Sequence, residues 1–190
     1  MSQIVKQIKP AFEELVFPLV KVLHKVGITP NMLTVSGLLL VSAGSYFIMK
    51  GKFLTGALFL IAGNLCDAMD GILARRFNRH SKFGAFLDSV IDRISDFLPL
   101  MAIGLFFIKN EIMLILAIYT GFVSFMVSYT RARAEGLGID CKVGALERTE
   151  RSVILILTLL FDIVLIGLIS IAIGATITVF QRIYCVYRNS

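Results

Sequence analysis

Six apolar runs, parted by short polar stretches, occupy most of this chain: Met32 to Met49, Phe53 to Leu65, Phe97 to Ile108, Ile112 to Tyr129, Val153 to Phe161 and Ile163 to Phe180. Inside lipid no water satisfies a free backbone amide, so spanning segments are helices or closed barrels. Continuous rather than alternating apolarity selects helices. Several runs reach the ~17–25 residues that cross a hydrocarbon core, and others do so with their polar flanks included. The shortest, around Val153 to Phe161, needs residues from about Ala145 onward. The expectation is an all-α integral membrane bundle of six transmembrane helices, one domain over residues 1–190. Composition agrees: 57% of the residues are hydrophobic, 17% are charged and the mean hydropathy is +0.83, too apolar for a soluble domain of this size. Neither a linker nor the inverted repeat of a transporter is visible.

Basic residues set the orientation. With six spans and a cytoplasmic N-terminus, the inner segments hold Lys6, Lys9, Lys21, Lys25, Arg75, Arg76, Arg79, Lys82, the cluster from Arg131 to Arg151, Arg182 and Arg188. The outer turns hold Lys50, Lys52 and Lys109. This asymmetry places both termini in the cytoplasm, and a prokaryotic plasma membrane is the expected location. The net charge of +6 then reads as attraction to anionic lipid headgroups. No aromatic–basic array accompanies it, which argues against a nucleic-acid partner.

Residues 1–24 are interrupted by charge and lack the pattern of a cleaved signal. Ile4, Ile8, Phe12, Leu15, Val16 and Leu19 share one helical face, apart from Lys6, Lys9, Glu13 and Glu14. The pattern predicts an amphipathic helix that either lies on the cytoplasmic membrane surface or packs on protein. Cys66, Cys141 and Cys185 are odd in number, cytoplasmic in this topology and without metal-like spacing, so free thiols are expected.

Four aspartates stand out against this background. Residues 67–92 read D-x2-D-G-x2-A-R-x8-G-x3-D-x3-D, with Asp67, Asp70, Gly71, Ala74 and Arg75 on one helix and Gly84, Asp88 and Asp92 on the next. Asp96 continues the second row by one turn. About a polar reversal near Arg79, Asp70 matches Asp88 and Asp67 roughly matches Asp92, so an antiparallel hairpin brings four carboxylates together at two heights. Burying them near a bilayer is untenable without cations, and carboxylate oxygens suit Mg²⁺ or Mn²⁺. Two bridged ions of the kind used in phosphoryl transfer fit this spacing. Gly71, Ala74 and Gly84 either admit a ligand to the backbone or serve close helix packing. Arg75 either holds a phosphate or anchors the membrane topology.

This signature resembles that of the CDP-alcohol phosphotransferases. The resemblance implies that Asp67, Asp70, Asp88 and Asp92 bind two divalent ions, with Asp92 also serving as general base. It implies that Asn31, Thr34, Gly71, Ala74, Arg75, Ser81 and Gly84 lie along the CDP moiety of a CDP-linked lipid donor. The reaction expected is transfer of a phosphatidyl-type group to the hydroxyl of a small polar alcohol, with release of CMP, by a homodimer. The stretches Ser128 to Glu135, Glu147 to Arg151 and Asp88 to Asp96 most resemble the phosphatidylinositol-phosphate and archaetidylinositol-phosphate synthases. In that type Arg133, Lys142, Arg148 and Arg151 match an acceptor-phosphate pocket, or else they only enforce topology.

Three other readings stand beside it: a phosphatidylglycerophosphate synthase using glycerol 3-phosphate, a divalent-cation or proton transporter, and an inactive binding-only homologue. A transporter needs ionisable residues along the outer half of its path, where this chain has only Glu111 and Asp162 near turns. The four intact aspartates argue against the inactive homologue.

Overall fold

The computed structural model describes residues 3–189, with side chains described from residue 10 onward. The positions of the Ile4, Lys6, Ile8 and Lys9 side chains lie outside the described residues. All regular structure among the described residues is helical: α1 (Gln3–Lys25), α2 (Pro30–Met49), α3 (Phe53–Arg76), α4 (Lys82–Phe106), α5 (Glu111–Gly136), α6 (Arg148–Leu160) and α7 (Val164–Asn189).

Four of these, α2, α3, α5 and α7, are long and apolar enough to cross a membrane. The 25-residue α4 has the length, but Asp88, Asp92, Arg93 and Asp96 interrupt its apolar character. At 13 residues α6 is about 20 Å long, short of a ~30 Å core. The helical extension expected back to Ala145 does not form. Instead Gln181 Oε1 accepts from the Ala145 amide at 2.8 Å and Thr178 Oγ1 accepts from the Leu146 amide at 2.9 Å, so α7 holds this stretch outside the helix.

Close backbone contact joins α2 to α3. A Cβ on Gly37 would lie 3.1 Å from the Gly63 carbonyl oxygen, and one on Gly56 would lie 3.0 Å from that of Gly44. Two glycines per helix, each pair seven residues apart, thus let the backbones touch, which is how helices associate in lipid without a hydrophobic driving force. The same α2 packs against α4, while α5 bridges α4 and α7, and α6 packs against α3 and α7. An apolar core containing Ile48, Ala57, Ile103, Leu159, Leu168 and Ile171 fills the half of the bundle near the α2–α3, α4–α5 and α6–α7 turns. Polar side chains gather at the other end.

The first helix uses two apolar faces. Val16 and Val20 pack on Met69, Ile72 and Leu73 of α3, whereas Leu15, Leu19, Val22 and Val26 stay exposed. Glu13 pairs with Arg75 at 2.6 Å, and Glu14 pairs with Arg76. Both ion pairs tie α1 to the last turn of α3.

One cysteine expectation is overturned. Cys141 and Cys185 form a disulfide, with Cα atoms 6.1 Å apart, and Cys66 alone is free. The loop after α5 folds back along the end of α7, where Arg182 Nε donates to the Val143 carbonyl at 2.9 Å. That return path joins two cysteines 44 residues apart in sequence.

Candidate active site

Local chemistry delivers the acids to one end of the bundle. Helix α3 stops where Asn78 takes a left-handed conformation (φ 52°) and the Arg79 amide bonds back to the Ala74 carbonyl at 3.0 Å. Ser81 then caps α4, its Oγ accepting from the Gly84 amide at 2.9 Å. Asp67 and Asp70 therefore project from the end of α3 and Asp88 and Asp92 from the start of α4. These two helices are not a tightly packed hairpin; α2 packs on both, and the carboxylates face each other across the space between them.

Carboxylate oxygens of Asp67, Asp70 and Asp88 all lie within 4.8 Å of one another. At an effective dielectric near 20, two unit charges at that distance repel by about 3 kcal/mol. Asp70 is 6% exposed and accepts a 2.6 Å hydrogen bond from Thr34 Oγ1 of α2. Three hard oxygen donors, one of them oriented by a neighbouring hydroxyl, fit a divalent ion of the Mg²⁺ or Mn²⁺ type. Asp92 stands beside this trio, its Oδ1 2.9 Å from Arg148 Nη1, which also reaches Asp67 Oδ2 at 3.1 Å. Asn64 Nδ2 donates to Ser152 Oγ at 2.6 Å, tying α6, and so Arg148, to the acid-bearing helix α3.

On one side of the acids lies a cleft of about 190 Å³ between the start of α2, the end of α3 and the start of α4. All seven residues expected along the CDP moiety line it: Asn31, Thr34, Gly71, Ala74, Arg75, Ser81 and Gly84. Asp70 and Asp88 form its inner wall. A Cβ on Gly84 would lie 3.0 Å from Asn31 Oδ1, and one on Gly71 would lie 3.1 Å from Arg75 Nη1, so both glycines keep polar groups of the cleft close to the backbone. Arg79 and His80 also line the cleft, and the signature spacing gave no sign of them.

On the other side lies a basic cleft of about 330 Å³. Arg148 and Arg151 line it with Asp92, as expected of the acceptor side, and Arg93, Arg131 and Arg182 join them. Arg182 is 2% exposed and donates to the Val143 and Val127 carbonyls. Arg133 and Lys142 are elsewhere: Arg133 is exposed in the last turn of α5, and Lys142 pairs with Asp140 at 2.8 Å on the surface. Arg131, two residues before Arg133, turns to the other side of α5 and reaches the cleft instead.

A third hollow, of about 310 Å³, borders on both. It shares Asp70, Gly71, Arg75 and Asp88 with the first cleft and Asp92, Arg148 and Thr149 with the second. The acids thus line the walls shared by neighbouring hollows, from a glycine-walled cleft to an arginine-lined one.

Four helices long and apolar enough to cross a membrane, with a carboxylate cluster between two such clefts, define a multi-pass helical membrane protein built around a polar site. The profile of the CDP-alcohol phosphatidyltransferase family matches residues 27–180, and this chain belongs to that family. It is 40% identical over 180 residues to the archaetidylinositol phosphate synthase of Pyrococcus horikoshii, covering 94% of each chain. The crystal structure of Mycobacterium tuberculosis phosphatidylinositol phosphate synthase with CDP-DAG bound is similar at a TM-score of 0.85 and 28% identity, over 92% of this chain and 94% of that one. The same mycobacterial enzyme in complex with manganese and citrate is similar at a TM-score of 0.84, over 90% of this chain and 88% of the other.

Proposed function

We propose that this chain transfers a phosphatidyl-type group from a CDP-linked lipid, CDP-diacylglycerol or CDP-archaeol, to a hydroxyl of a small phosphorylated polyol such as inositol phosphate, releasing CMP. The observation that carries this reading is the row of neighbouring hollows in which the aspartates stand between the CDP-side cleft and the arginine-lined cleft. The names of the relatives support an inositol-phosphate acceptor.

Each group along this row has a task. Asn31, Thr34, Arg75, Ser81 and the walls at Gly71, Ala74 and Gly84 hold the CDP moiety. Asp67, Asp70, Asp88 and Asp92 would hold two divalent ions, Mg²⁺ or Mn²⁺, which would supply charge neutralisation for the pyrophosphate and the departing CMP. Asp92 sits where the acid-lined hollow opens into the basic cleft and accepts the proton of the attacking hydroxyl. The hydroxyl oxygen bonds to the lipid-side phosphorus as the bond from that phosphorus to the CMP oxygen breaks. Arg148 and Arg151, with Arg131 and Arg182 beside them, take the acceptor's phosphate through charge-assisted donors. Arg133 and Lys142 draw the anionic acceptor toward the cleft from the surface.

The surrounding architecture follows from this reading. Residues 1–190 form one domain with six crossings of a prokaryotic plasma membrane, α4 adding to the four apolar spans and the short α6 crossing together with the non-helical stretch from Ala145 that α7 holds. Both termini and the site face the cytoplasm, where CDP and the acceptor are soluble. The exposed face of α1, with Leu15, Leu19 and Val22 and continued by Val26 just past its end, lies on the lipid surface as a juxtamembrane helix. Two copies associate as a homodimer.

The test is CMP release by purified protein in detergent, with CDP-diacylglycerol or CDP-archaeol, with and without Mg²⁺ or Mn²⁺. Inositol 1-phosphate, glycerol 3-phosphate, inositol and serine are offered in parallel. Metal-dependent release that requires inositol 1-phosphate is expected and is abolished by chelation. Release supported by glycerol 3-phosphate alone would reassign the acceptor, and no release with any of them would overturn the reading.

A further inference from the structure

Asp96, one helical turn beyond Asp92 on α4, has no part in the proposed chemistry, yet it joins two arginines of the acceptor side. Its Oδ1 accepts from Arg148 Nε at 3.2 Å and its Oδ2 accepts from Arg151 Nη2 at 2.7 Å. Arg151 is 4% exposed, and its Nη1 donates to the Leu146 carbonyl at 3.4 Å, so this end of the network is anchored in the bundle. At the far end, Arg148 Nη1 stands between Asp67 and Asp92.

We infer that Asp96 is a positioning residue: anchored by Arg151, it holds the Nε edge of Arg148 so that this guanidinium stays against Asp67 and Asp92 in the wall of the acceptor cleft. This rests on the functional reading above and assigns a residue that sets its acceptor side. The carboxylate is suited to the task because each oxygen serves a different arginine. Asp96 also neutralises two guanidinium groups three residues apart on one helix, that of Arg151 buried and that of Arg148 half-buried. Without it, Arg148 keeps its pull toward Asp67 and Asp92 but loses the restraint on its other edge, and Arg151 loses its counter-ion. The consequence falls on the acceptor. Arg148 and Arg151 line the basic cleft, whereas none of Asp96, Arg148 and Arg151 lines the CDP-side cleft.

The experiment compares the full-length wild type with Asp96→Asn and Asp96→Glu in detergent with Mg²⁺. It reads KM for inositol 1-phosphate and for the CDP-lipid, kcat, and the calorimetric affinities for inositol 1-phosphate and CDP. An amide keeps one acceptor and turns a donor toward a guanidinium. Asp96→Asn should therefore raise acceptor KM and dissociation constant about tenfold or more, with donor KM and CDP affinity changed by less than about twofold. Asp96→Glu, which keeps both oxygens, should recover much of the loss. Donor and acceptor constants that rise together, or acceptor affinity that stays at the wild-type value, would overturn the inference. If Asp96→Asn does not fold, the double variant Asp96→Asn with Arg151→Gln is compared with Arg151→Gln alone: equal acceptor affinity in the two overturns the inference, and a further, selective acceptor loss in the double variant supports it. A wild type without metal-dependent CMP release defeats the functional reading and this inference with it; an active wild type matched by Asp96→Asn defeats the positioning role alone.

Discussion

Thr34 of α2 donates its hydroxyl to Asp70 Oδ2 of α3 at 2.6 Å, so the acid most deeply buried in the site is oriented from a neighbouring helix. Such a donor fixes the direction in which a carboxylate presents its other lone pairs.

Replacing that hydroxyl with a methyl tests the link. Thr34→Val keeps the side-chain shape and removes the donor, so divalent-metal affinity should fall about 10- to 100-fold. The measurement is the Mn²⁺ dependence of CMP release, checked by paramagnetic detection of bound Mn²⁺. Wild-type affinity in the variant would show that Asp70 needs no orienting partner.

Because α2 carries Thr34, its contact with α3 matters to the site. A Cβ on Gly63 would lie 3.0 Å from the Gly37 carbonyl oxygen and 2.7 Å from Val41 Cγ2. Neither yields cheaply: Val41 is a buried β-branched side chain of the core, and the oxygen belongs to a helix backbone. Gly63→Ala should lower stability by about 1–3 kcal/mol and weaken metal binding in parallel, read as the melting temperature in detergent and the Mn²⁺ titration. A lowered melting temperature with intact metal affinity would separate the helix contact from the acid cluster.

Asp92 is set apart from Asp67, Asp70 and Asp88 by its place on the basic cleft. Asp92→Asn should reduce kcat by about 10²- to 10⁴-fold, the usual contribution of a general base, while metal-dependent CDP binding survives. Turnover and isothermal titration of CDP measure the two sides. Near-wild-type turnover would remove Asp92 from the proton transfer.

The Cys141–Cys185 bond restrains the loop that supplies the Val143 carbonyl to Arg182. Closing a loop of 44 residues restricts the unfolded chain by up to about 4 kcal/mol. Cys141→Ser, or a reductant added to the wild type, should lower the melting temperature. Acceptor affinity should fall more than CDP affinity, since the loop borders the arginine side alone. Equal melting curves with and without reductant would remove the bond from the stability of the fold.

Much of the donor side was legible because its information is local. Asp67, Asp70, Gly71, Ala74 and Arg75 lie within nine residues of one helix, and Gly84, Asp88 and Asp92 within nine of the next, so helical period alone gathers each set on a face. The seven residues expected near CDP do share one cleft. The acceptor side was legible only in part. Arg93, Arg131 and Arg182 come from three different helices and meet Arg148 through contacts that no spacing records, whereas Arg133 and Lys142 sit in a basic stretch and face elsewhere.

What the chain determined by itself was its helical, membrane-embedded character and the two acid-bearing turns, because apolar run length and the 3.6-residue period act between neighbours. Tertiary structure decided the rest. Backbone contact between paired glycines set α2 against α3 and brought Thr34 to Asp70. The Asn64–Ser152 bond ties α6 to α3, and the capture of the Ala145 and Leu146 amides by α7 delays the start of α6 to Arg148. The return of the α5–α6 loop along α7 joined Cys141 to Cys185. Each of these depends on which helix lies beside which, and a one-dimensional pattern carries that only where the two surfaces are built from residues close in sequence.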